Sequence, residues 1–339
     1  MEITLHLDDS RIDKIIRNLE LAKAYLSNGN DLGITGYWEH HSSQISLKKS
    51  NKGEIKVTGE GGFYFPGMTY NGPDFLNTIF KRFTLMKDIT NTEFDLSIPQ
   101  NYEQSLGYKV KEKWISADFL RAIYHAKDIV TQTRRAEITL PETLRILDIG
   151  SGTGLQALVF NLFNPKTTYY LVDIPDTLAL AQIFLSIAKP DATFLFLDDW
   201  VGNKELLNSD NYDFIFVPNF MINEIPRASI HLALNTVSMQ EMNYDSIQRY
   251  FQEMRRVLTE PRLFYQCNRD KKIDGNIVEL DKYPYKKEDV HIYQGPGIFY
   301  RRVILIRKCF GRFPLLRWVR IPSVTNNKGH VTQLTRLAI

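Results

Sequence analysis

Ten residues in the middle of the chain, RILDIGSGTG from Arg145 to Gly154, constrain the fold more than any other stretch. Apolar Ile146, Leu147 and Ile149 flank Asp148 and run directly into Gly150, Gly152 and Gly154, the pattern of a buried strand turning sharply into a helix. Glycine is needed where the backbone takes positive φ or lies against a ligand with no side chain between. The turn, with Ser151 inside it, reads as a loop that cradles a nucleotide-type cofactor.

A dinucleotide fingerprint of the G-x-G-x-x-G kind needs its third glycine where this chain has Leu155; here it stands one residue earlier. The G-x-G-x-G spacing, with the acid Asp148 two positions before the first glycine, resembles the loop of the S-adenosylmethionine (SAM) methyltransferases. A second β-rich run, TTYYLVDIP from Thr167, ends in Asp173 and Ile174, and between the two runs Leu155, Leu158, Val159 and Leu162 share one helical face. An acid at the tip of the second strand of a βαβ unit sits beside the first loop, where it can accept both hydroxyl protons of a ribose. The expected cofactor set is therefore Asp148, Gly150, Ser151, Gly152, Gly154, Asp173 and Ile174, and the expected cofactor is SAM.

With 339 residues and 43% hydrophobic content, the chain can bury a large core. A net charge of +3 is too small for a nucleic-acid binder as a whole. Two cysteines, Cys267 and Cys309, have no metal-ligand or disulfide spacing, and no signal peptide or membrane-length apolar run is visible, which predicts a cytoplasmic protein.

The chain divides near residue 141. Residues 1–141 open with a helix expected over Asp9 to Leu26, pass through the glycine- and aromatic-rich KGEIKVTGEGGFYFPGMTYNGPDF, and end in a helix from Ser116 to about Thr131. This region reads either as a cap over the active site or as a dimerisation arm. Residues 142–339 read as an α/β, Rossmann-like, doubly wound and mostly parallel sheet. After Asp173 come a helix from Thr177 to Ala188, the strand-like runs TFLFLDDW, YDFIFVPNF and SIHLALNT, a helix from Tyr244 to Leu258, and the strand RLFYQCN.

One strand exceeds the usual count, so two pairs compete for the adenine: Asp199 with Trp200, and Asn219 with Phe220. YRRVILIRKCF and HVTQLTRLAI suit a closing antiparallel pair. From Arg301 to Arg320 there are seven basic residues and no acidic one. That run fits a solvated face, a surface for phosphorylated substrates, or a contact with anionic membrane or a biosynthetic complex.

NTVSMQEM, Asn235 to Met242, is more specific. With the aromatic strand ending Cys-Asn-Arg and the upstream VDIPDTLALAQIFLS, it resembles the sugar O-methyltransferases of bacterial surface-polysaccharide gene clusters. The resemblance is strong from Arg145 to Arg269, looser from Tyr102 to the C-terminus, and absent from the first hundred residues. It implies a SAM-dependent enzyme acting on a sugar or glycan hydroxyl.

Such a hydroxyl needs a base, and ligands collect at the carboxyl ends of parallel strands. Glu241, just past the SIHLALNT strand, is the leading candidate, with Asn235, Ser238 and Gln240 placed to orient it, the substrate or the cofactor. His125 and Tyr124, on the helix before the glycine loop, form a second set. His231 reads as core. Asp198 and Asp199 are the one tempting metal pair, but adjacent strand residues point to opposite faces, so no metal is expected. A nicotinamide oxidoreductase, a catalytically silent scaffold and a methyltransferase for a protein, lipid or aromatic acceptor are the rivals.

Overall fold

The computed structural model describes residues 2–27, 44–59, 108–110, 113–115, 117–272, 277–297, 304–310, 313–319 and 329–338. At 2, 3, 108–110, 113–115, 117, 120, 304–310 and 313–319 the backbone alone is described. In the N-terminal part, β1 (Glu2–His6), helix α1 (Asp9–Ser27), β2 (Ser46–Lys49) and β3 (Glu54–Thr58) are followed by a hairpin, β4 (Tyr108–Val110) with β5 (Lys113–Ile115), and by α2 (Ala117–Arg135). Helix α1 starts where Asp8 Oδ1 accepts the Arg11 N–H at 2.8 Å, a side-chain cap on an otherwise unsatisfied donor. Most of the aromatic-rich stretch lies outside the described residues.

The central unit runs β6 (Leu144–Ile149), α3 (Leu155–Phe163), β7 (Thr167–Asp173), α4 (Pro175–Ala188), β8 (Phe194–Leu195), α5 (Leu197–Trp200), β9 (Phe214–Pro218), β10 (Ile230–Thr236), α6 (Tyr244–Val257) and β11 (Leu258–Arg269). After β12 (Lys271–Lys272) and β13 (Val278–Glu279) come β14 (Val290–Pro296), β15 (Ile304–Phe310), β16 (Phe313–Val319) and β17 (His330–Arg336). One eight-stranded sheet is ordered β14-β17-β11-β10-β6-β7-β9-β8. Its strands from β11 to β8 are parallel, and β17 enters antiparallel between β11 and β14. The parallel strands read as near-continuous apolar runs because both faces are covered. Helices α2, α3 and α4 share one apolar cluster on one face, and α5 and α6 share another on the opposite face.

Three expectations need correction. TFLFLDDW contributes only Phe194–Leu195 as strand; LDDW coils into α5, whose Asp199 Oδ2 accepts the Phe196 N–H at 3.0 Å. An acid in the first turn satisfies a helix-terminal donor better than it serves a buried strand. Secondly, β17 takes β14 as its outer partner, while Ile304–Phe310 pairs with Phe313–Val319 in a separate hairpin. Thirdly, His231 is half-buried rather than core, and its Nδ1 accepts the Arg145 N–H at 3.0 Å.

Two of the described parts of the N-terminal region are built into the central unit. Ile12 and Ile15 of α1 and Ile55 and Val57 of β3 join the cluster of α2, α3 and α4, and Lys23 of α1 pairs with Asp176 of α4 at 2.6 Å. Gln156, in the first turn of α3, donates to the Ala122 carbonyl of α2 at 3.0 Å, so α2 is pinned next to the glycine loop.

Candidate cofactor site and the turn beside it

The loop after β6 uses positive φ at all three glycines, 72° at Gly150, 57° at Gly152 and 79° at Gly154, and they lack a side chain for two different reasons. A Cβ on Gly150 would stand 1.8 Å from Ser238 Oγ, and one on Gly154 would stand 2.9 Å from a Leu185 methyl of α4. At Gly152 a Cβ would meet nothing within 4 Å. Gly150 and Gly154 therefore answer to close packing, whereas Gly152 presents bare backbone to open space, as a cofactor cradle requires.

The polar groups around this loop fit SAM. Asp148 is 2% exposed; its Oδ2 accepts the Tyr169 hydroxyl at 2.9 Å, and its Oδ1 is buried with no hydrogen-bond partner in the protein, as is Ser151 Oγ. Buried acceptors without donors are rare and costly, and a cofactor carrying an ammonium and a sulfonium supplies what this carboxylate lacks. Asp173, at the tip of β7, accepts the Gly152 N–H and the Ile174 N–H, both at 2.8 Å, which holds its carboxylate against the loop.

Burial pushes the carboxyls of both Asp148 and Asp173 up to about 7; the Tyr169 hydroxyl opposes this at Asp148, and the two backbone N–H groups oppose it at Asp173. A carboxyl raised above its unfolded value of about 3.9 contributes stability that is present below that value and lost as pH rises through the folded one. Ligand-free protein should therefore lose stability between about pH 4 and pH 7 through these groups. A cation that favours the carboxylates acts in the opposite sense. SAM affinity measured by calorimetry should rise with pH up to about 7 and then level off, by up to about tenfold per pH unit for each group. In Asp173→Ala, SAM should bind more weakly by about 1.5–3 kcal/mol, and the pH dependence should shrink. An affinity that is flat with pH and insensitive to Asp173→Ala would remove both acids from the site.

The sheet order settles which middle strand lies beside the second acid. β9 pairs with β7, placing Pro218 opposite Asp173, so Asn219 and Phe220 follow at the same edge of the sheet. Asn219 hydrogen-bonds the Tyr250 hydroxyl of α6, and Tyr250 also feels the charge of Asp173. Ile174 and Phe220 are both 6% exposed, yet they belong to neither apolar cluster of the core. The other pair is engaged elsewhere. Asp199 and Asp198 both pair with Lys14 of α1, at 2.6 and 2.7 Å, and Trp200 is fully buried with its indole N–H on the Phe216 carbonyl at 3.1 Å. No group of three or more metal-ligating side chains occurs among the described residues.

Asn235 is fully buried and makes four hydrogen bonds. Its amide donates to the Ile149 carbonyl at 2.6 Å and to Ser238 Oγ at 2.7 Å, and its oxygen accepts the Met239 N–H and the Asn268 amide. It staples the turn after β10 to the glycine loop. Glu241 ends the 3-10 turn Met239–Glu241, where its carboxylate is ion-paired with Lys272 and accepts the Gln240 amide at 3.1 Å. The Glu241 side chain is 15% exposed.

His125 and Tyr124 face inward. His125 is 1% exposed, its Nδ1 lies 2.9 Å from the Tyr265 hydroxyl of β11, and that hydroxyl donates to Asp128 at 3.0 Å. Burial, aided by the charges of Arg121 and His330, pushes the imidazole down to about 3, so it is neutral. Tyr124 is 2% exposed and belongs to the apolar cluster of α2, α3 and α4.

Sequence reasoning missed two features. Tyr250 sits in the apolar register of α6 and so looked like core. A buried amide ladder links Asn235 to Asn268, Asn268 to Gln266, and Gln266 to Gln333 of β17 at 2.7 Å. Its signal was Gln266 and Asn268 alternating within an otherwise apolar strand.

Comparison with known proteins agrees with this geometry. A family profile described as lysine methyltransferase matches residues 90–253, which span the glycine loop, Asp173, Asn219 and Glu241. No curated protein is similar enough to count as a relative. Solved structures with partial likeness include TehB from Haemophilus influenzae (13% identity, 62% of each chain covered, TM-score 0.35). Another is Phospholethanolamine N-methyltransferase 2 of Haemonchus contortus, with 14% identity, 68% of this chain and 40% of that one covered, and a TM-score of 0.33. A third is the fibrillarin/Nop5p complex, with 10% identity, 70% of this chain and 92% of that one covered, and a TM-score of 0.39. The chain spans about half, 51%, of the YcgJ protein of Bacillus, to which it is also similar. These likenesses are too distant to carry an argument about function. The reversed last strand between β11 and β14 and the glycine loop at the end of β6 give the chain the class I, Rossmann-like methyltransferase fold, and the profile over residues 90–253 is that of a methyltransferase family.

Proposed function

We propose that the protein transfers the methyl of SAM to a sugar hydroxyl of a glycan or nucleotide sugar. The observation that carries this reading is the carboxylate of Glu241, fixed by Lys272 and Gln240 on the turn that Asn235 and Ser238 staple to the cofactor loop. The NTVSMQEM stretch that builds this turn is also the part of the chain most similar to the sugar O-methyltransferases.

SAM, when bound, supplies an electrophilic methyl on a cationic sulfur. The chain's own tasks are to hold an acceptor oxygen in line with that methyl and to take its proton. The staple does the first by fixing the carboxyl end of β10 against the end of β6. Glu241 is the residue proposed for the second; in accepting a proton it exchanges its bond to the Lys272 ammonium for one to the acceptor.

A second reading, methylation of a protein amine, is supported by the description of the matching profile. Both are tested by incubating the protein with methyl-labelled SAM and, separately, a panel of nucleotide sugars and surface glycans and a panel of lysine-containing peptides. Label on a glycan as an alkali-stable methyl ether supports the first reading. Label on lysine overturns it, and tight SAM binding with no transfer to any acceptor favours a silent scaffold.

A further inference from the structure

We propose that the β15–β16 hairpin docks the protein on the surface of an anionic bilayer. Its two strands pair with each other and with no other described strand. The register puts Ile304, Ile306, Phe310, Phe313, Leu315 and Val319 on one face, with Lys308 and Arg317. It puts Leu305, Leu316 and Trp318 on the other, with Arg307. A hairpin that rests on a protein core alternates apolar and polar residues, so that its outer face meets water. This one is mostly apolar on both faces, and every charge on it is positive.

Positive charge is concentrated in this part of the chain. Residues 290–339 hold nine of the 42 Lys and Arg and none of the 39 Asp and Glu, so the remainder is net negative. Among possible occupants, water leaves two apolar faces uncovered, a soluble phosphorylated ligand uses the charge alone, and a second copy brings like charges together. An anionic bilayer surface answers to both features. Apolar area enters the acyl boundary, tryptophan suits the headgroup level, and basic groups meet the anionic headgroups while their stems stay in apolar surroundings. Pro296 pairs with Val331, and His330 pairs with Arg269 at the carboxyl end of β11. The chain therefore leaves β14 and enters β17 at the end of the sheet that bears the glycine loop, and docking brings that end toward the membrane.

This proposal is independent of the cofactor and of the acceptor. The test is flotation of the full chain with vesicles of phosphatidylglycerol and phosphatidylcholine in equal parts, beside vesicles of phosphatidylcholine alone. Wild type should float with the first and not with the second, and its binding should fall steeply as salt is raised. Arg307→Gln, Lys308→Gln and Arg317→Gln combined should weaken binding to the anionic vesicles about 100-fold, with the melting temperature near that of wild type. Trp318→Ser should also weaken it, while the preference for anionic lipid remains. The lipid preference of wild type is read without any variant, so a substitution that unfolds the chain leaves the test intact. Equal binding to both vesicles, or anionic binding that survives the triple substitution in a folded protein, overturns the proposal. So does a wild type that floats with neither: binding of UDP-glucose that the triple variant abolishes would then give the run to a phosphorylated ligand, and a dimer that the variant dissociates would give it to a second copy.

Discussion

Gly152→Val should abolish SAM binding, by at least about 100-fold, in a protein that remains folded. Of the three loop glycines only Gly152 faces open space: a Cβ there has no atom within 4 Å beyond its chain neighbours, so a valine side chain extends into the volume the cofactor needs. Its φ of 57° adds a left-handed strain of about 1–2 kcal/mol, a modest loss for a protein of this size. Circular dichroism should match wild type, melting should fall by a few degrees at most, and calorimetry should detect no heat of SAM binding. A Gly154→Val control should behave differently, because its Cβ drives into Leu185 of α4 and the fold itself should suffer. Tight SAM binding by Gly152→Val would reduce the loop to an ordinary turn.

The placement of the glycine loop beside Asp173 was legible because it is fixed locally. A βαβ unit fixes where the ends of its two strands lie, so Gly150 and Asp173 are neighbours in space whatever else the chain does. Long-range arrangements were not legible. Whether Asp199 and Trp200 or Asn219 and Phe220 stood next to Asp173 depended on which strand pairs with β7, and both runs have the same apolar character. Asp199 was already assigned to α1 through Lys14, a contact between residues 185 positions apart that no local pattern encodes. The burial of His125 was not legible for a related reason. The helical face it shares with apolar residues is the face turned toward Tyr265, and burial there outweighs its chemistry.

Glu241→Gln should lower turnover about 10²–10⁴-fold on the acceptor found by the labelled-methyl screen, with SAM affinity nearly unchanged. The amide retains the size of the side chain and its bond with Gln240, but it cannot take a proton. It also deprives the Lys272 ammonium of its charged partner; because that pair is largely buried, a loss of stability is expected alongside the loss of rate. The two effects can be separated. Lys272→Met in the Glu241→Gln background removes the ammonium that faced Glu241 and should recover melting temperature, but the rate should stay low if the carboxylate acts on the substrate. Recovery of rate together with stability would make Glu241 a structural anchor of the turn. His125→Ala supplies the comparison from α2: the imidazole is buried and neutral, so its loss should lower stability through the cavity it leaves while the rate per folded molecule stays near wild type. A His125→Ala protein that is folded and inactive, beside an active Glu241→Gln, would move the base to α2.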